Sequence, residues 1–203
     1  MKITEIFQSI QGEGPYIGHR SIFIRTFGCN LGCSFGDTPY SWQKGSIHYD
    51  MSIHQILDMV CQASDVTHVV ITGGEPTIQP ELNELITNLK ELGKIITIET
   101  NGTNMISNPQ LVDKIMVSPK DMASAEKWLG IQNAEFKFVI NEKNIDSTLQ
   151  WLRQKGITKA YLMPMSNQAN DALMGSVYIL DKITENHDDH IICPRLHLLM
   201  GLK

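Results

Sequence analysis

Short apolar runs rich in β-branched residues alternate with segments of helical periodicity along most of this chain. Such alternation is typical of a parallel β-sheet whose strands are joined by covering helices. Strands are predicted at residues 21–27, 68–72, 95–99, 114–117, 135–140, 159–163 and 191–193, and helices at 52–63, 80–92, 123–129, 145–155 and 169–185. About six strand–helix units are fewer than the eight that close a TIM barrel. We therefore predict an α/β fold built as a partial (open) TIM-like barrel.

The composition excludes several functional classes. The 203 residues suit a single domain (1–203), and the net charge of −5 comes without any cluster of Lys or Arg. Because non-specific binding of nucleic acid needs many basic side chains, no nucleic-acid partner is expected. No apolar run reaches the roughly 18 residues of a membrane span, and residues 1–5 lack the apolar segment of a secretory signal. The predicted location is therefore cytoplasmic, without a membrane partner.

Residues suited to ligand binding come close behind four of the predicted strands. They are Cys29, Gly73, Thr100 and Ser118. Ligands of parallel α/β folds bind at the carboxyl ends of the strands. The sequence therefore predicts a ligand site at this rim of the sheet.

Cys29 and Cys33 have the spacing C-x3-C, which by itself has three interpretations. The two thiols are ligands of an iron–sulfur cluster, ligands of zinc, or small buried side chains. Other stretches of the chain give this pair its context. They are EIFQSIQGEG at 5–14, Arg25 with GCNL at 28–31, DT at 37–38, TGGEP at 72–76, ETNGT at 99–103, SPK at 118–120 and RLH at 195–197.

Together these stretches resemble the radical S-adenosylmethionine (radical SAM) superfamily and, within it, the 7-carboxy-7-deazaguanine synthase family, over residues 5–197. The resemblance implies a partial barrel of the radical SAM type and a carbon–nitrogen lyase of queuosine and 7-deazapurine biosynthesis. The implied reaction converts 6-carboxy-5,6,7,8-tetrahydropterin to 7-carboxy-7-deazaguanine and ammonia. The implied cofactors are a [4Fe–4S] cluster, S-adenosylmethionine and Mg²⁺. The implied partners are the pterin substrate, an electron donor such as flavodoxin, and a second copy in a homodimer, which the uncovered sheet edge of an open barrel also favours.

The resemblance also assigns site residues in three groups. The substrate group is Gln11, Glu13, Gly14, Arg25, Thr72, Arg195 and His197; the cofactor group is Gly73, Gly74, Glu75, Glu99, Asn101, Ser118 and Lys120; the metal group is Cys29 and Cys33 for the cluster and Thr38 for magnesium. Gln and Glu suit the amide-like edge of a pterin, and Arg binds a carboxylate through two hydrogen bonds. Without the resemblance, Glu13 is a solvated loop carboxylate, and residues 73–76 and 37–39 are ordinary turns.

The third cysteine of the family's loop is expected at position 36, where this chain has glycine. Glycine has no side chain to bind iron, and Asp37 offers a hard oxygen where clusters prefer thiolate. Cys61 and Cys193 are expected to be buried thiols without a redox role. Three interpretations remain open. The chain is an otherwise active enzyme with a substitution, a homologue that binds pterin, cofactor or a protein partner without turnover, or an enzyme whose cluster is completed by a distant ligand.

Overall fold

The structure of the chain is a computed structural model that describes residues 1–33, 36, 38–165 and 169–202, with the side chains of residues 169–172 outside the description. Its strands are β1 (Lys2–Ile10), β2 (Arg20–Thr26), β3 (Tyr49–Asp50), β4 (His68–Gly73), β5 (Ile95–Thr100), β6 (Lys114–Val117), β7 (Ala134–Ile140), β8 (Tyr161–Pro164) and β9 (Ile191–Ile192). Its helices are α1 (Ile53–Gln62), α2 (Leu82–Glu91), α3 (Met122–Glu126), α4 (Ile145–Gln154), α5 (Ala169–Glu185) and α6 (Leu196–Leu199). Every strand and helix predicted from the sequence is present, with small shifts at the ends.

The helices are amphipathic and carry the expected caps. The Ser52 hydroxyl accepts a hydrogen bond from the Gln55 N–H at 3.2 Å, and the Gln55 side chain accepts one from the Ser52 N–H at 2.9 Å. This capping box confirms Ser52 as the N-cap of α1. Helix α2 buries a single apolar stripe, Leu82, Leu85, Ile86 and Leu89, as a helix on the surface of a sheet should. In the described part of the chain, no helix is long and apolar enough to cross a membrane.

Contacts between residues divide the chain into two compact units. The first comprises Met1–Ile10 and His19–Ala134, and the second comprises Gln11–Gly18 and Glu135–Lys203. Within the first unit the strands follow the order β3-β1-β2-β4-β5-β6. Strands β2, β4, β5 and β6 are parallel to one another, as predicted, whereas β1 is antiparallel to both of its neighbours. The organisation as a single domain stays a prediction.

Strand β1 is missing from the sequence prediction because its apolar pattern is not that of a regular strand. Ile3, Ile6, Phe7 and Ile10 recur at the spacing of a helix face rather than at every second residue. The structure shows the reason: the register of β1 against β2 shifts between Ile3 and Glu5. A bulge of this kind changes which residues share a face of the sheet. The short strand β3 and the short helix α6 were also not predicted.

The two faces of the parallel strands differ in chemistry. One face carries fully buried aliphatic residues from four neighbouring strands, namely Ile22, Ile24, Val69, Ile71, Ile96, Ile98, Ile115 and Val117. The other, which we call the polar face, carries Ser21 and Arg25 on β2, His68 and Thr72 on β4, and Thr97 and Glu99 on β5. Because helices must bury their apolar stripes against the aliphatic face, the polar face is the one on which ligand chemistry is expected.

The second unit contributes three strands and has its own core. Strands β7, β8 and β9 are parallel and lie in that order. Phe136 and Phe138 of β7 both pack edge-to-face on Trp151 of α4, with ring centroids 5.8 and 5.9 Å apart. Ile145, Leu149 and Leu152 complete the buried side of that helix. Aromatic and aliphatic burial of this density stabilises a small unit through its apolar area.

Candidate active site

Gly73 and Gly74 allow the loop after β4 to lie directly against the end of β2 and the loop that follows it. A Cβ on Gly73 would lie 2.3 Å from the Thr26 carbonyl oxygen, and one on Gly74 would lie 2.2 Å from that of Gly28. Gly73 also has a φ of +144°, which other residues rarely adopt. The Glu75 N–H then donates to the Gly28 carbonyl at 2.8 Å. The close approach seen here is therefore between two segments of the chain, and it fixes the start of the loop that carries the cysteines.

Glu75 is completely buried and its carboxylate accepts four hydrogen bonds. Oε1 accepts from the Thr77 N–H at 3.1 Å, the Thr77 hydroxyl at 2.6 Å and the Thr100 hydroxyl at 2.7 Å. Oε2 accepts from the Asn101 N–H at 2.6 Å. A buried carboxylate requires such donors. Glu75 therefore joins the loop after β4 to the loop after β5 and sets the position of Asn101.

Asn101 continues this network to the cysteine loop. Its side-chain N–H donates to the Asn30 oxygen at 2.9 Å, and its own oxygen accepts from the Thr103 N–H and hydroxyl at 3.0 and 2.7 Å. Asn30 in turn donates to the Thr103 hydroxyl at 2.8 Å. We call Glu75, Asn101, Asn30 and Thr103 the rim network. It brings together three loops that lie far apart in the sequence and that follow the carboxyl ends of β2, β4 and β5.

The cysteine loop holds two half-buried free thiols, Cys29 and Cys33. The Gly36 N–H donates to the Cys33 carbonyl at 3.1 Å. A Cβ at position 36 would lie 3.3 Å from that carbonyl oxygen and 3.8 Å from Nε1 of Trp42, and the backbone there is not left-handed. A side chain at this position therefore needs a shift of only a few tenths of an ångström. Among the residues that the structure describes, none packs around position 36 in a way that requires glycine.

Arg25 lies in a row of polar side chains that crosses three strands. The register pairs it with Glu5 of β1 on one side and Thr72 of β4 on the other. Its Nε donates to Glu5 Oε1 at 2.8 Å. Its side chain is mostly buried, at 13% of its full exposure. The predicted substrate-binding Arg25 and Thr72 are thus neighbours on the polar face.

Thr38, the predicted magnesium ligand, is half-buried beside the buried Ser41. The Ser41 hydroxyl donates to the Thr38 carbonyl oxygen at 2.7 Å and lies 3.5 Å from the Thr38 hydroxyl. Asp37, which precedes it in the DT motif, lies outside the described residues. The geometry therefore leaves the magnesium assignment as a prediction.

The remaining predicted cofactor residues follow β5 and β6. The Ser118 N–H donates to the Thr100 carbonyl at 2.7 Å, which places the SPK stretch beside the ETNGT stretch. Lys120 Nζ donates to the Ser118 hydroxyl at 2.9 Å and is exposed. Glu99 is half-buried at the carboxyl end of the polar face. These residues lie at the same rim as the rim network.

In the second unit, the QGEG stretch meets the terminal RLH stretch. A Cβ on Gly12 would lie 1.9 Å from Nδ1 of His197, so only glycine leaves room for that imidazole. The Leu196 N–H donates to the Gly12 carbonyl at 3.0 Å, and Arg195 is buried. The structure thus unites substrate-group residues that lie at opposite ends of the sequence.

Glu13 is buried in the same unit and forms an ion pair with Lys137 of β7. The interpretation of Glu13 as a solvated carboxylate is therefore wrong. The Glu13 N–H donates to Gln11 Oε1 at 3.3 Å, and the Gly14 N–H donates to Cys193 Sγ at 3.2 Å. A buried charge needs a partner of opposite charge or hydrogen-bond donors. Sequence reasoning missed Lys137, although a lone lysine inside the apolar strand AEFKFVI is a signal of such a partner.

Comparison with known proteins gives this geometry its context. Residues 23–172 match the model of the Radical SAM superfamily. The 7-carboxy-7-deazaguanine synthase of Hyperthermus butylicus is 30% identical over 231 residues, covering 100% of this chain and 93% of that protein. The enzyme of the same name from Haemophilus influenzae is 34% identical over 205 residues, covering 99% and 93%. The crystal structure of QueE from Escherichia coli superimposes with a TM-score of 0.70 at 26% identity, covering 93% of this chain and 92% of that one.

The chain belongs to the 7-carboxy-7-deazaguanine synthase family of the radical SAM superfamily. The predicted fold class, an α/β partial barrel of the radical SAM type, is confirmed by the match to QueE and by the parallel strands described above. The prediction that the chain is of an enzyme family is confirmed as well. The predicted site at the strand ends stays a prediction.

Radical SAM proteins use a 4Fe–4S cluster and S-adenosylmethionine. In this chain the cysteine loop offers two thiols, and among the residues that the structure describes no three His, Cys, Asp or Glu side chains gather as metal ligands. Cys61 is exposed on α1, contrary to the prediction, and Cys193 is buried in the second unit. The donor set therefore does not fit a cluster held by three protein thiolates, and Gly36 is the position at fault.

Proposed function

We propose that this chain is a 7-carboxy-7-deazaguanine synthase-type lyase that converts 6-carboxy-5,6,7,8-tetrahydropterin to 7-carboxy-7-deazaguanine and ammonia in queuosine or other 7-deazapurine biosynthesis. The observation that carries the proposal is that two relatives of this name, those of Hyperthermus butylicus and Haemophilus influenzae, align with at least 99% of the chain. The rim network and the buried Glu13–Lys137 pair lie on the family's motifs and are fully formed. Buried polar groups whose hydrogen bonds and charges are satisfied in this way support a functional role beside a structural one.

The pterin is proposed to contact Gln11, Glu13, Gly14, Arg25, Thr72, Arg195 and His197. Gln and Glu side chains match the alternating donors and acceptors of the pterin edge, and an arginine matches its carboxylate. Lys137 neutralises the buried charge of Glu13, so that this carboxylate can be kept in an apolar setting without a large desolvation penalty. Lys137 is therefore added to the residues that shape this part of the site.

S-Adenosylmethionine is proposed to contact Gly73, Gly74, Glu99, Asn101, Ser118 and Lys120. Glu75 belongs to the same group, and its saturated carboxylate supports an indirect role: it orients the Asn101 backbone. Thr38 is proposed as a magnesium ligand, because magnesium accepts a hydroxyl oxygen and keeps several waters. An electron donor such as flavodoxin, a homodimer and a cytoplasmic location complete the proposal by analogy with the family.

A second candidate function rests on Gly36. A chain with two cluster thiolates is expected to hold iron weakly or not at all. In that case the protein binds pterin, cofactor or a protein partner without turnover. The two candidates differ in one measurable property, which is the iron that the unmodified chain retains.

The test compares the unmodified chain with Gly36→Cys, both purified and reconstituted without oxygen. The backbone at position 36 accepts a Cβ with little adjustment, so the variant should fold normally. We expect Gly36→Cys to hold about four irons and four sulfides per chain, to absorb in the visible range and to form 7-carboxy-7-deazaguanine. The unmodified chain should hold markedly less iron. Gly36→Ala is the matched control, since it adds the Cβ without the thiol and should not gain iron.

Two outcomes would contradict these candidates separately. If Gly36→Cys loads its cluster and cleaves S-adenosylmethionine but leaves the pterin unchanged, the substrate assignment is wrong. If the unmodified chain holds a full cluster and forms the product, the candidate without turnover is excluded and a ligand other than residue 36 completes the cluster.

A further inference from the structure

The guanidinium of Arg25 is held from several directions. Its Nε donates to Glu5 Oε1 at 2.8 Å, and the Tyr40 hydroxyl donates to the same oxygen at 3.1 Å. The guanidinium carbon lies 5.7 Å from the centroid of the Phe7 ring and 5.9 Å from that of the Tyr40 ring. Cation–π contacts of this length add to the charge-assisted hydrogen bond. Arg25 is therefore fixed in one orientation before any ligand arrives.

The way in which Arg25 is anchored determines which of its edges can meet a ligand. A guanidinium can bind a carboxylate through two parallel bonds, either along its Nε–Nη edge or along its Nη1–Nη2 edge. Glu5 occupies Nε, so the first edge is blocked. No residue in the described part of the chain accepts a hydrogen bond from Nη1 or Nη2. The edge that remains for a carboxylate is Nη1–Nη2, approached end-on.

We propose that Glu5 is a positioning residue that, together with Tyr40, aims the Nη1–Nη2 edge of Arg25 at the substrate carboxylate. By this means it sets the preference of the enzyme for a carboxylated pterin over one without the carboxylate. The inference rests on the proposed function, in which Arg25 binds that carboxylate. It adds a residue, Glu5, that acts on selectivity without touching the substrate.

Glu5 has a second possible effect, and the two effects have opposite signatures. A negative charge beside Arg25 weakens the pull of Arg25 on a ligand carboxylate. If this charge were the main effect, removing it with Glu5→Gln would tighten binding of the carboxylated pterin. If position is the main effect, Gln keeps an acceptor at the same reach and changes little, whereas Glu5→Asp keeps the charge but withdraws the acceptor by one methylene.

The experiment measures the dissociation constants of two ligands, 6-carboxy-5,6,7,8-tetrahydropterin and tetrahydropterin without the carboxylate. Calorimetry is done without oxygen on the unmodified chain, Glu5→Asp and Glu5→Gln, each with magnesium and S-adenosylmethionine. Binding does not require turnover, and each measurement is repeated on the Gly36→Cys background, in which the cysteine loop has its third thiol. Asp65→Asn is the matched control, because Asp65 pairs with Arg20 at the other end of the same strand.

We expect Glu5→Asp to weaken binding of the carboxylated pterin about tenfold, since one of two charge-assisted bonds loses its alignment. Binding of the ligand without the carboxylate should be unchanged. Glu5→Gln should stay within about threefold of the unmodified chain for both ligands, because a neutral acceptor at the same reach still aligns Arg25, and Asp65→Asn should match the unmodified chain.

The possible failures are distinguishable. The positioning role is overturned if Glu5→Asp keeps the full preference for the carboxylated pterin over the ligand without the carboxylate. It is also overturned if Glu5→Gln binds the carboxylated pterin more tightly than the unmodified chain does. If both variants weaken both ligands equally, Glu5 supports only the structure, and the inference fails. If neither the unmodified chain nor Gly36→Cys binds the carboxylated pterin, the proposed function itself is overturned and the inference falls with it. If both ligands bind equally well, the inference alone is overturned.

Discussion

The two ends of the polar face in the first unit carry hydrogen-bonded groups of different kinds. At the amino end, Nδ1 of His68 lies 2.7 Å from the Ser21 hydroxyl, and Nε2 lies 2.8 Å from the Thr97 hydroxyl. All three residues are buried, and all three lie on the strands themselves. At the carboxyl end, Arg25 and Glu5 remain partly exposed, and the rim network is built from loops.

This contrast separates a region that stabilises the fold from one that is available to a ligand. A buried network whose members bond one another stabilises a single packing arrangement. A rim built from loops presents backbone and side-chain groups to whatever binds at the strand ends. The same strands therefore carry a closed buried network at one end and groups available to a ligand at the other. The predictions below test whether the two ends are separable in this way.

The largest effect is expected at the carboxyl end, where backbone is packed against backbone. Gly73→Ala would place a Cβ 2.3 Å from the Thr26 carbonyl oxygen at a φ of +144°. We expect the free energy of unfolding to fall by about 3 kcal/mol or more, from strain and displacement of the strand end together. Urea unfolding followed by circular dichroism measures it.

The control for this prediction is Gly93→Ala. Gly93 also has a positive φ, +70°, but a Cβ there meets nothing within 4 Å. We expect Gly93→Ala to lower the free energy of unfolding by about 1 kcal/mol, which is the cost of the left-handed backbone conformation alone. Equal losses at Gly73 and Gly93 would mean that the close approach of Gly73 to Thr26 contributes nothing.

His68→Leu should produce the next largest effect, and at the amino end. The substitution removes two buried hydrogen bonds and leaves the Ser21 and Thr97 hydroxyls without this partner. We expect the free energy of unfolding to fall by about 2 to 3 kcal/mol. The affinity of the folded protein for the pterin should not change. A loss of pterin affinity in the variant, measured well below its unfolding midpoint, would show that the two ends of the face are coupled.

The same histidine predicts a pH dependence of stability. Burial lowers the pKa of His68 to about 4, from an ordinary value of 6.5. The lowered folded-state pKa means that the unfolded chain takes up a proton below pH 6.5 before the folded protein does. Stability from this group is therefore complete above pH 6.5, falls as the pH drops, and is lost near pH 4.

Between pH 7 and pH 5 this loss amounts to about 2 kcal/mol. Burial also lowers the pKa of His190, which adds a loss of stability in the same direction. The measurement is therefore the difference in the free energy of unfolding between the unmodified chain and His68→Leu at each pH. A difference that does not change between pH 7 and pH 5 would mean that His68 is not buried in its neutral form.

Much of the fold follows from local patterns that a single sequence contains. The alternation of apolar runs and helical periodicity predicted the parallel strands, and Ser52 marked the start of α1 through a capping box with Gln55. Strand β1 escaped because a bulge between Ile3 and Glu5 breaks its alternation. The bulge depends on pairing with β2, which no local pattern contains.

For the candidate site, the sequence predicted which stretches meet but not how they bond. The saturation of the Glu75 carboxylate and the burial of Glu13 against Lys137 depend on neighbours distant in sequence. The packing of Gly73 against Thr26 depends on a neighbouring strand in the same way. Motifs identify residues whose type matters, whereas hydrogen-bond partners require the folded chain.

The smallest effect is expected for the ion pair at the amino end of β2, between Arg20 and Asp65. The pair is close, at 2.5 Å, and the hydrogen bond and charge of Arg20 lower the pKa of Asp65. Both side chains are nevertheless more than half exposed, at 58% and 67%, whereas Arg25 and Glu5 are 13% and 18% exposed. Water and salt screen an exposed pair, and ordering two long side chains opposes it. We therefore expect Asp65→Asn to shift the unfolding temperature by less than about 2 °C, and the shift to vanish in 1 M salt.

A double-mutant cycle should give a clearly larger coupling energy for Arg25 with Glu5 than for Arg20 with Asp65. Equal coupling energies would contradict the view that burial, and not the distance between the charged atoms, makes the ion pair at the carboxyl end of β2 the stronger one.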